Sequence, residues 1–336
     1  MKTASLRFLP IALLVCAASA LPGTTTTTKA EQTYTLRIAT LAPAGSSWMK
    51  VVNAWNKTLQ EKTNGRLKIQ VYPGGSQGDE RDFVRKMRVG QLDAGIMTMT
   101  GMSMLVRSMI VLVLPGFLDT YEELDRVRAK MAPQFEAMFE KEGFKLVGWG
   151  DAGLNRLFAA KPFRSPSDLK ALRPWVWKDE LVFVELYDII GASAVRLGVP
   201  EVYPALQTRM IDMVSSSALT AVALQWYTRV KYMTGWNSAI IAGGTLMRKD
   251  KYDALPPDLQ EAFDSTSARA HELINKTIRK DDEKAYDVIV KKGIQVVDAG
   301  DAKAEWDAAY AKVRENFTGR LFSKSLLVAV TDAAKP

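Results

Sequence analysis

The chain has 336 residues, which is enough for about two domains of ordinary size. Hydrophobic residues make up 47% and charged residues 24%, proportions that exclude a disordered or collagen-like chain. A single cysteine and a single histidine exclude an internal disulfide and a zinc site of the Cys/His kind. The net charge of +8 is spread along the chain among acidic residues, so we interpret it as general surface charge and expect no nucleic-acid partner.

The first twenty residues have the three parts of an export signal. The segment starts with Lys2 and Arg7, continues with apolar residues 8–18 and ends in small residues at a cleavage site after Ala20. This pattern predicts a signal peptide over residues 1–20 and a periplasmic location. The alternative is a lipoprotein acylated at Cys16, but the residue before Cys16 is a poor match to a lipobox, so cleavage after Ala20 is favoured.

The rest of the chain alternates between strand and helix patterns after a polar tether, residues 21–32, which contains five consecutive threonines. This alternation indicates an α/β fold with a largely parallel sheet. Strands are predicted at 35–39, 67–72, 92–97, 144–148, 172–177, 194–197 and 211–214. Helices are predicted at 48–63 with Ser47 as the N-cap, 79–89, 121–142, 182–190 with Gly191 as the stop, and 200–209.

An apolar stretch at residues 102–118 could suggest a membrane span. Arg107 interrupts this stretch and Pro115 ends it. We therefore predict a buried strand with a flanking loop.

The longest predicted element covers residues 258–292, which contain no glycine and no proline. Pro257 suits the first position of a helix, and Gly293 suits its stop. One helix of this length would run roughly 50 Å, longer than a small domain is wide. The sequence leaves open whether one helix braces two lobes or two shorter helices meet at a kink.

Three motifs were weighed as functional sites and interpreted as structural. The glycine-rich loop 73–78 is followed by acidic residues instead of the Lys-Ser/Thr of a phosphate loop. His271 has no nearby serine or cysteine motif, which favours a solvated or partly packed side chain. The acidic run 281–283 follows basic residues on the long helix, which favours a solvated face over a metal site. With no catalytic, metal or cofactor constellation left, an exported α/β chain is most simply a binding protein.

Several segments, in this order and spacing, resemble the periplasmic substrate-binding subunit of TRAP transporters, the DctP family. The most specific is Glu-Val-Tyr-Pro-Ala-Leu-Gln-Thr at 201–208. The resemblance covers roughly residues 35–322. The other matching segments are 36–40, 71–81, 90–94, 168–172, 190–192 and 211–212.

The resemblance implies a two-lobed α/β binding protein, of the Venus-flytrap kind, with a long helix across both lobes. Ligand would lie in the cleft, the lobes would close over it, and the closed form would dock on a membrane permease. We assign residues 33–152 plus 241–280 to one lobe and residues 153–240 plus 281–325 to the other. The alternative function is a periplasmic carrier or sensor on the same scaffold, working with a TPR-type partner protein.

The sequence departs from the family where an arginine usually binds the ligand's carboxylate. That position is Trp175 here, and Arg173 lies two residues before it. A second family arginine aligns with Asn155, and a shift of one residue would place Arg156 there instead. A family asparagine at the end of a strand aligns with Ser216.

These departures predict a largely apolar ligand, or one without a carboxylate as its main anchor. Trp175 and Trp177 lie two residues apart on one predicted strand, so their side chains point to the same side. Flexible methionines suit irregular apolar ligands, and aromatic faces bury area without requiring charge. The predicted ligand-binding residues are Trp175, Trp177, Asn155, Arg156, Ser216, Met97, Met99 and Gln207.

Overall fold

The computed structural model describes residues 31–336, and residues 33–336 form one compact unit. The predicted signal peptide and nearly all of the predicted tether lie outside the described residues. The strands are β1 (Tyr34–Thr40), β2 (Leu67–Tyr72), β3 (Ala94–Thr98), β4 (Phe144–Ala159), β5 (Trp175–Trp177), β6 (Val195–Leu197), β7 (Met213–Ser216), β8 (Tyr232–Thr234), β9 (Ala239–Arg248) and β10 (Gln295–Val297).

The helices alternate with the strands over most of this range. They are α1 (Ser47–Lys62), α2 (Glu80–Arg88), α3 (Met99–Ser103), α4 (Tyr121–Lys130), α5 (Ala132–Lys141), α6 (Val182–Ile190), α7 (Val199–Gln207), α8 (Ala218–Ala223), α9 (Lys249–Asp253), α10 (Pro257–Lys291), α11 (Lys303–Phe317) and α12 (Lys324–Ala334). Short 3-10 helices occupy Arg107–Val113, Pro166–Ala171, Trp226–Arg229 and Gly300–Ala302.

The main sheet is mixed, so the prediction of a largely parallel sheet was wrong. Its order is β10-β8-β4-β9-β3-β1-β2, with β7 also paired to β4. The β1–β2 and β1–β3 pairs are parallel, whereas β9 runs antiparallel to both β3 and β4. The sequence pattern did not predict β9, which returns through the middle of the sheet and reverses the strand direction there.

Strand β4 crosses the molecule and is far longer than the predicted strand at 144–148. Its first part pairs with β9, and its last residues pair with β7 and β8. Gly153 adopts a φ of 107°, which only glycine accepts easily, and the register shifts there while the strand continues.

Helix α10 is a single helix of 35 residues, which confirms the long-helix prediction and excludes the alternative of two helices. It packs against α1, β4 and α8. Its acidic run is not a solvated face as predicted. Asp282 is buried and accepts hydrogen bonds from the backbone N–H groups of Leu154 (2.9 Å) and Leu219 (2.8 Å). Asp281 accepts one from the Ser47 hydroxyl (2.7 Å).

Three further local predictions were wrong for identifiable reasons. The apolar stretch 102–118 is buried, but as the end of α3 and a 3-10 helix, because an apolar run without alternation cannot separate buried strand from buried helix. The predicted helix 121–142 is two helices, with Pro133 in the first turn of the second. The cap of α1 is Ser46, one residue before the predicted Ser47.

The structure adds one finding on the membrane question. Between residues 31 and 336, no helix combines the length and the apolar character that a bilayer crossing requires.

Two elements have the bounds that the sequence predicts. The strand predicted at 67–72 is β2, and the helix predicted at 182–190 is α6, which ends at Gly191 with a φ of 77°.

Candidate ligand-binding site

The structure contains a cavity of about 240 Å³. One side is lined by β3, β4 and β9, and the other side by β5, β7, α6 and α8. A single water molecule needs roughly 10–15 Å³ of cavity volume, so this cavity has room for a small molecule. Its walls are mostly apolar side chains contributed by residues far apart in the sequence. Such a cavity, apolar with a few polar groups, is the usual form of a small-molecule site.

Tryptophans form the most distinctive part of the wall. Trp175 and Trp177 line the cavity from β5, with ring centroids 6.3 Å apart. Trp226 meets Trp175 edge-on at 5.2 Å, and Trp48 at the start of α1 also reaches the cavity. The indole N–H of Trp175 donates to the Leu197 carbonyl (3.0 Å), so its polar atom is occupied within the wall. These side chains therefore present mainly aromatic carbon atoms to the cavity.

The predicted methionine wall is also present. Met97 at the end of β3 and Met99 at the start of α3 are both buried, and both line the cavity. Gly243 on β9 lies opposite Thr98 in the sheet. A Cβ on Gly243 would lie only 2.2 Å from the Met97 carbonyl oxygen, so glycine is needed for the strands to pair beside the cavity.

The polar part of the wall is built from amide and hydroxyl groups. Asn155 on β4 donates to the Ser238 hydroxyl (2.9 Å) and accepts from the Ser215 hydroxyl (2.9 Å). Ser216 on β7 is buried, and its hydroxyl donates to the Ser217 carbonyl (3.1 Å). Asn155 and Ser216, both predicted as ligand-binding residues, line the cavity. These groups are uncharged, and each has a hydrogen-bond partner within the protein.

No lysine or arginine lines the cavity in the part of the chain that the structure describes. Arg173, two residues before Trp175, is half exposed and pairs with Asp212 (3.4 Å). Three acidic residues do reach the cavity, and each has protein partners. Asp151 accepts from Arg128 and Arg279 (2.8 Å each), and Glu180 accepts from the first backbone N–H groups of α6. Burial raises the pKa of Glu180 to about 7.

Glu80 is the most deeply buried of these acids. Its carboxyl accepts from the backbone N–H groups of Thr98 (2.7 Å) and Gly101 (2.7 Å) and from the Thr98 hydroxyl (3.0 Å). These bonds tie α2 to the start of α3. Burial outweighs them and raises the pKa of Glu80 from 4.5 to about 8.

This raised pKa predicts how stability depends on pH. The unfolded chain loses the Glu80 proton near pH 4.5 and the folded protein keeps it to about pH 8, so the folded state binds more protons in this window. The free energy of unfolding should fall as pH rises from 4.5 to 8, by up to about 1.4 kcal/mol per pH unit for one such group. Urea unfolding of Glu80→Gln should show a shallower decline than wild type. The exposed-site variant Glu61→Gln should keep the wild-type slope, and an unchanged slope in Glu80→Gln would contradict the assignment.

Two predicted residues do not line this cavity. Arg156 follows Asn155 on β4 and therefore points to the other face of the strand. There it donates to the Gly235 carbonyl (2.8 Å), stacks on Tyr286 and lines a second, polar cavity with Tyr121 and Asp282. Gln207 is exposed at the end of α7. The alternation of the strand thus places Asn155, and not Arg156, at this cavity.

Sequence reasoning missed several lining residues. Trp48, Trp226 and Glu180 come from segments with no recognisable motif, and only the tertiary fold brings them to the cavity. His271, predicted to be solvated or partly packed, is buried. One ring nitrogen lies 2.8 Å from the Thr245 hydroxyl and the other 2.8 Å from the Ser267 carbonyl.

Comparison with known proteins decides the family. A family model described as "Bacterial extracellular solute-binding protein, family 7", DctP, matches residues 38–320. The chain belongs to this family. Its members are periplasmic solute-binding receptors of TRAP transporters and not enzymes, and they have a two-lobed α/β fold.

The 2,3-diketo-L-gulonate-binding periplasmic protein YiaO of Escherichia coli (strain K12) is 26% identical over 271 residues, which cover 78% of this chain and 80% of YiaO. The solved structure of DctP7 of Bordetella pertussis, which binds pyroglutamic acid, matches with a TM-score of 0.83 at 18% identity and covers 90% of this chain and 100% of that one. A sugar acid binding protein of Advenella mimigardefordensis in complex with galactonate matches with a TM-score of 0.84 at 17% identity, covering 90% of this chain and 98% of that one. At these identities the two structures support the fold alone.

Proposed function

We propose that this DctP-family receptor binds a small, uncharged and largely apolar solute in the cavity beside Trp175 and delivers it to a membrane permease. The observation that carries the proposal is the composition of the wall. Several tryptophans and methionines line it, and no lysine or arginine does so within residues 31–336. The three relatives described above bind acids, so this chain would differ from them in ligand class.

The physical argument concerns the cost of burying charge. An ionised carboxylate that leaves water without a cationic partner loses several kcal/mol, which uncharged hydrogen-bond donors recover only in part. In this cavity it would also approach Glu180, whose pKa of about 7 leaves it partly ionised at neutral pH. An apolar ligand meets neither cost, and it gains about 25 cal/mol for each Å² of apolar surface removed from water.

The remaining parts of the proposal follow the family. Lobe closure would trap the solute, with the lobe boundaries given above, and the signal peptide at residues 1–20 would direct the chain to the periplasm. A TRAP permease is the partner that family membership supports. None of the relatives described here is named for a TPR-type partner, so the transport role is the one we propose.

Isothermal calorimetry with ligands matched in size tests the ligand class. The purified protein should bind 1-octanol at least about tenfold more tightly than octanoate, because the carboxylate carries an uncompensated desolvation cost. Succinate and galactonate, representing dicarboxylates and sugar acids, should give no measurable heat. Tight binding of either acid, or a preference for octanoate over 1-octanol, would contradict the proposal.

A further inference from the structure

The glycine-rich loop 73–78, interpreted above as structural, leads directly into Asp79, which accepts hydrogen bonds from two residues that line the cavity. Gly74, Gly75 and Gly78 all adopt positive φ, at 63°, 71° and 96°, so the loop turns in a way that other residues would resist. The turn ends at Asp79, which caps α2 by accepting from the backbone N–H of Glu80 (2.7 Å). One carboxylate oxygen is used in this cap.

The other carboxylate oxygen of Asp79 reaches the far wall of the cavity. It accepts hydrogen bonds from the indole N–H of Trp177 (2.8 Å) and from the backbone N–H of Val199 (3.1 Å). Trp177 lies on β5 and Val199 begins α7, and both line the cavity. Asp79 itself belongs to α2, which packs on β3. One side chain therefore joins the two walls between which a ligand would lie.

We propose that Asp79 is a latch that holds the two walls of the cavity together and positions the Trp177 indole in the binding site. The glycine-rich loop serves to present this carboxylate across the cavity. The proposal concerns closure and does not depend on the chemical class of the ligand. Asp79 is a positioning residue, since it acts through Trp177.

Two observations support the latch. Burial raises the pKa of Asp79 although three N–H groups donate to it, so the contact withdraws the carboxylate partly from water. In addition, Gly198 leaves room for it, because a Cβ there would lie 2.7 Å from the Asp79 carboxylate oxygen. Gly198 has a φ of −72°, which any residue adopts, so its backbone conformation does not require glycine. Contact with Asp79 is therefore a specific reason for a glycine at this position.

The latch can be separated from a second bridge close by. Arg81 and Asp179 also join α2 to the segment after β5, at 3.5 Å, but the Arg81 side chain is 71% exposed. An exposed pair of this kind contributes little. Asp179→Asn is therefore a matched control, since it removes a neighbouring carboxylate bridge without touching Asp79.

Hydrogen exchange of tryptophan indole N–H groups, followed by NMR with ¹⁵N-labelled tryptophan, tests the latch in the purified protein. Trp177 is identified by its loss in Trp177→Phe. In Asp79→Ala and in Gly198→Ala the Trp177 N–H should exchange at least about tenfold faster than in wild type. The Trp175 N–H, bonded to Leu197 on the same wall, is the internal control and should change by less than about twofold. Asp179→Asn should behave as wild type.

Small-angle scattering of the same samples separates a latch from a local contact. Both latch variants should have a larger radius of gyration than wild type, and Asp179→Asn should not. Faster Trp177 exchange with an unchanged radius would overturn the proposal, because the bond would then not hold the walls together. Rapid Trp177 exchange already in wild type, or exchange unaffected in both variants, would overturn it as well. None of these outcomes bears on ligand class, so failure of the latch is distinct from failure of the proposed function.

Discussion

Trp175→Arg is expected to convert the receptor from a preference for 1-octanol to a preference for octanoate. Trp175, which we predict to align with the family's arginine position, is 6% exposed and lines the cavity. An arginine there would supply the cation that the wall otherwise lacks and could bind a carboxylate through two parallel hydrogen bonds. The ratio of octanoate to 1-octanol affinity, measured by calorimetry, should rise by about a hundredfold, because hydrogen bonds to charged groups contribute about 1.5–3 kcal/mol.

Two variants serve as controls. One removes the indole without adding a charge, and the other removes a positive charge that lies outside the cavity. Trp175→Ala should weaken the binding of both ligands and leave their ratio close to that of wild type. Arg156→Ala removes a cation that faces the second cavity, so it should leave both affinities unchanged. The interpretation of the site fails if Trp175→Arg is folded and octanoate gains nothing relative to 1-octanol.

Asp151→Ala should be the most destabilising single substitution discussed here. Asp151 is fully buried on β4 and pairs with Arg128, whose side chain is 5% exposed, and with Arg279 on α10. In the wild-type protein the Arg128 guanidinium lies 2.8 Å from the Asp151 carboxylate. Removing that carboxylate leaves the guanidinium buried without this ion-pair partner. Breaking one side of a buried pair costs about 3–5 kcal/mol, which urea unfolding should show as a matching fall in the free energy of unfolding.

The matched control for this prediction is Asp125→Ala. Asp125 pairs with the same Arg279 at 2.6 Å, but its own side chain is 48% exposed. Water can replace that carboxylate, so the loss should be about 1 kcal/mol or less. Equal losses in the two variants would show that burial does not govern the strength of this network.

Local sequence signals predicted the elements with strong boundaries. The bounds of β2 and α6 were predicted exactly, and α10 within one residue, because glycines, prolines and periodicity agree at their ends. Strand β4 was cut short because its interior glycines are also the usual signal for a break. The stretch 102–118 was predicted as a strand but is helical. A continuous apolar run has the same composition in a buried helix and in a buried strand, so composition cannot separate them.

The site could be predicted only as far as alignment to the family reached. Trp175 and Asn155 were predicted as ligand-binding residues from the alignment and Trp177 from strand alternation. All three line the cavity, and their binding of ligand stays a prediction. The burial of Asp282, by contrast, depends on backbone N–H groups of β4 and α8 that approach α10 from distant parts of the chain. Its sequence neighbours carry alternating charge and gave the opposite signal. Tertiary hydrogen bonds of this kind have no local pattern.

The identity of the natural solute tests the central claim most directly. The protein can be isolated from the periplasm without ligand-stripping steps, weighed by native mass spectrometry and then denatured, so that the released compound is identified. We predict a small, uncharged and largely apolar compound bound to wild type and lost in Trp175→Arg. Recovery of a carboxylic acid as the solute bound by wild type would contradict the account.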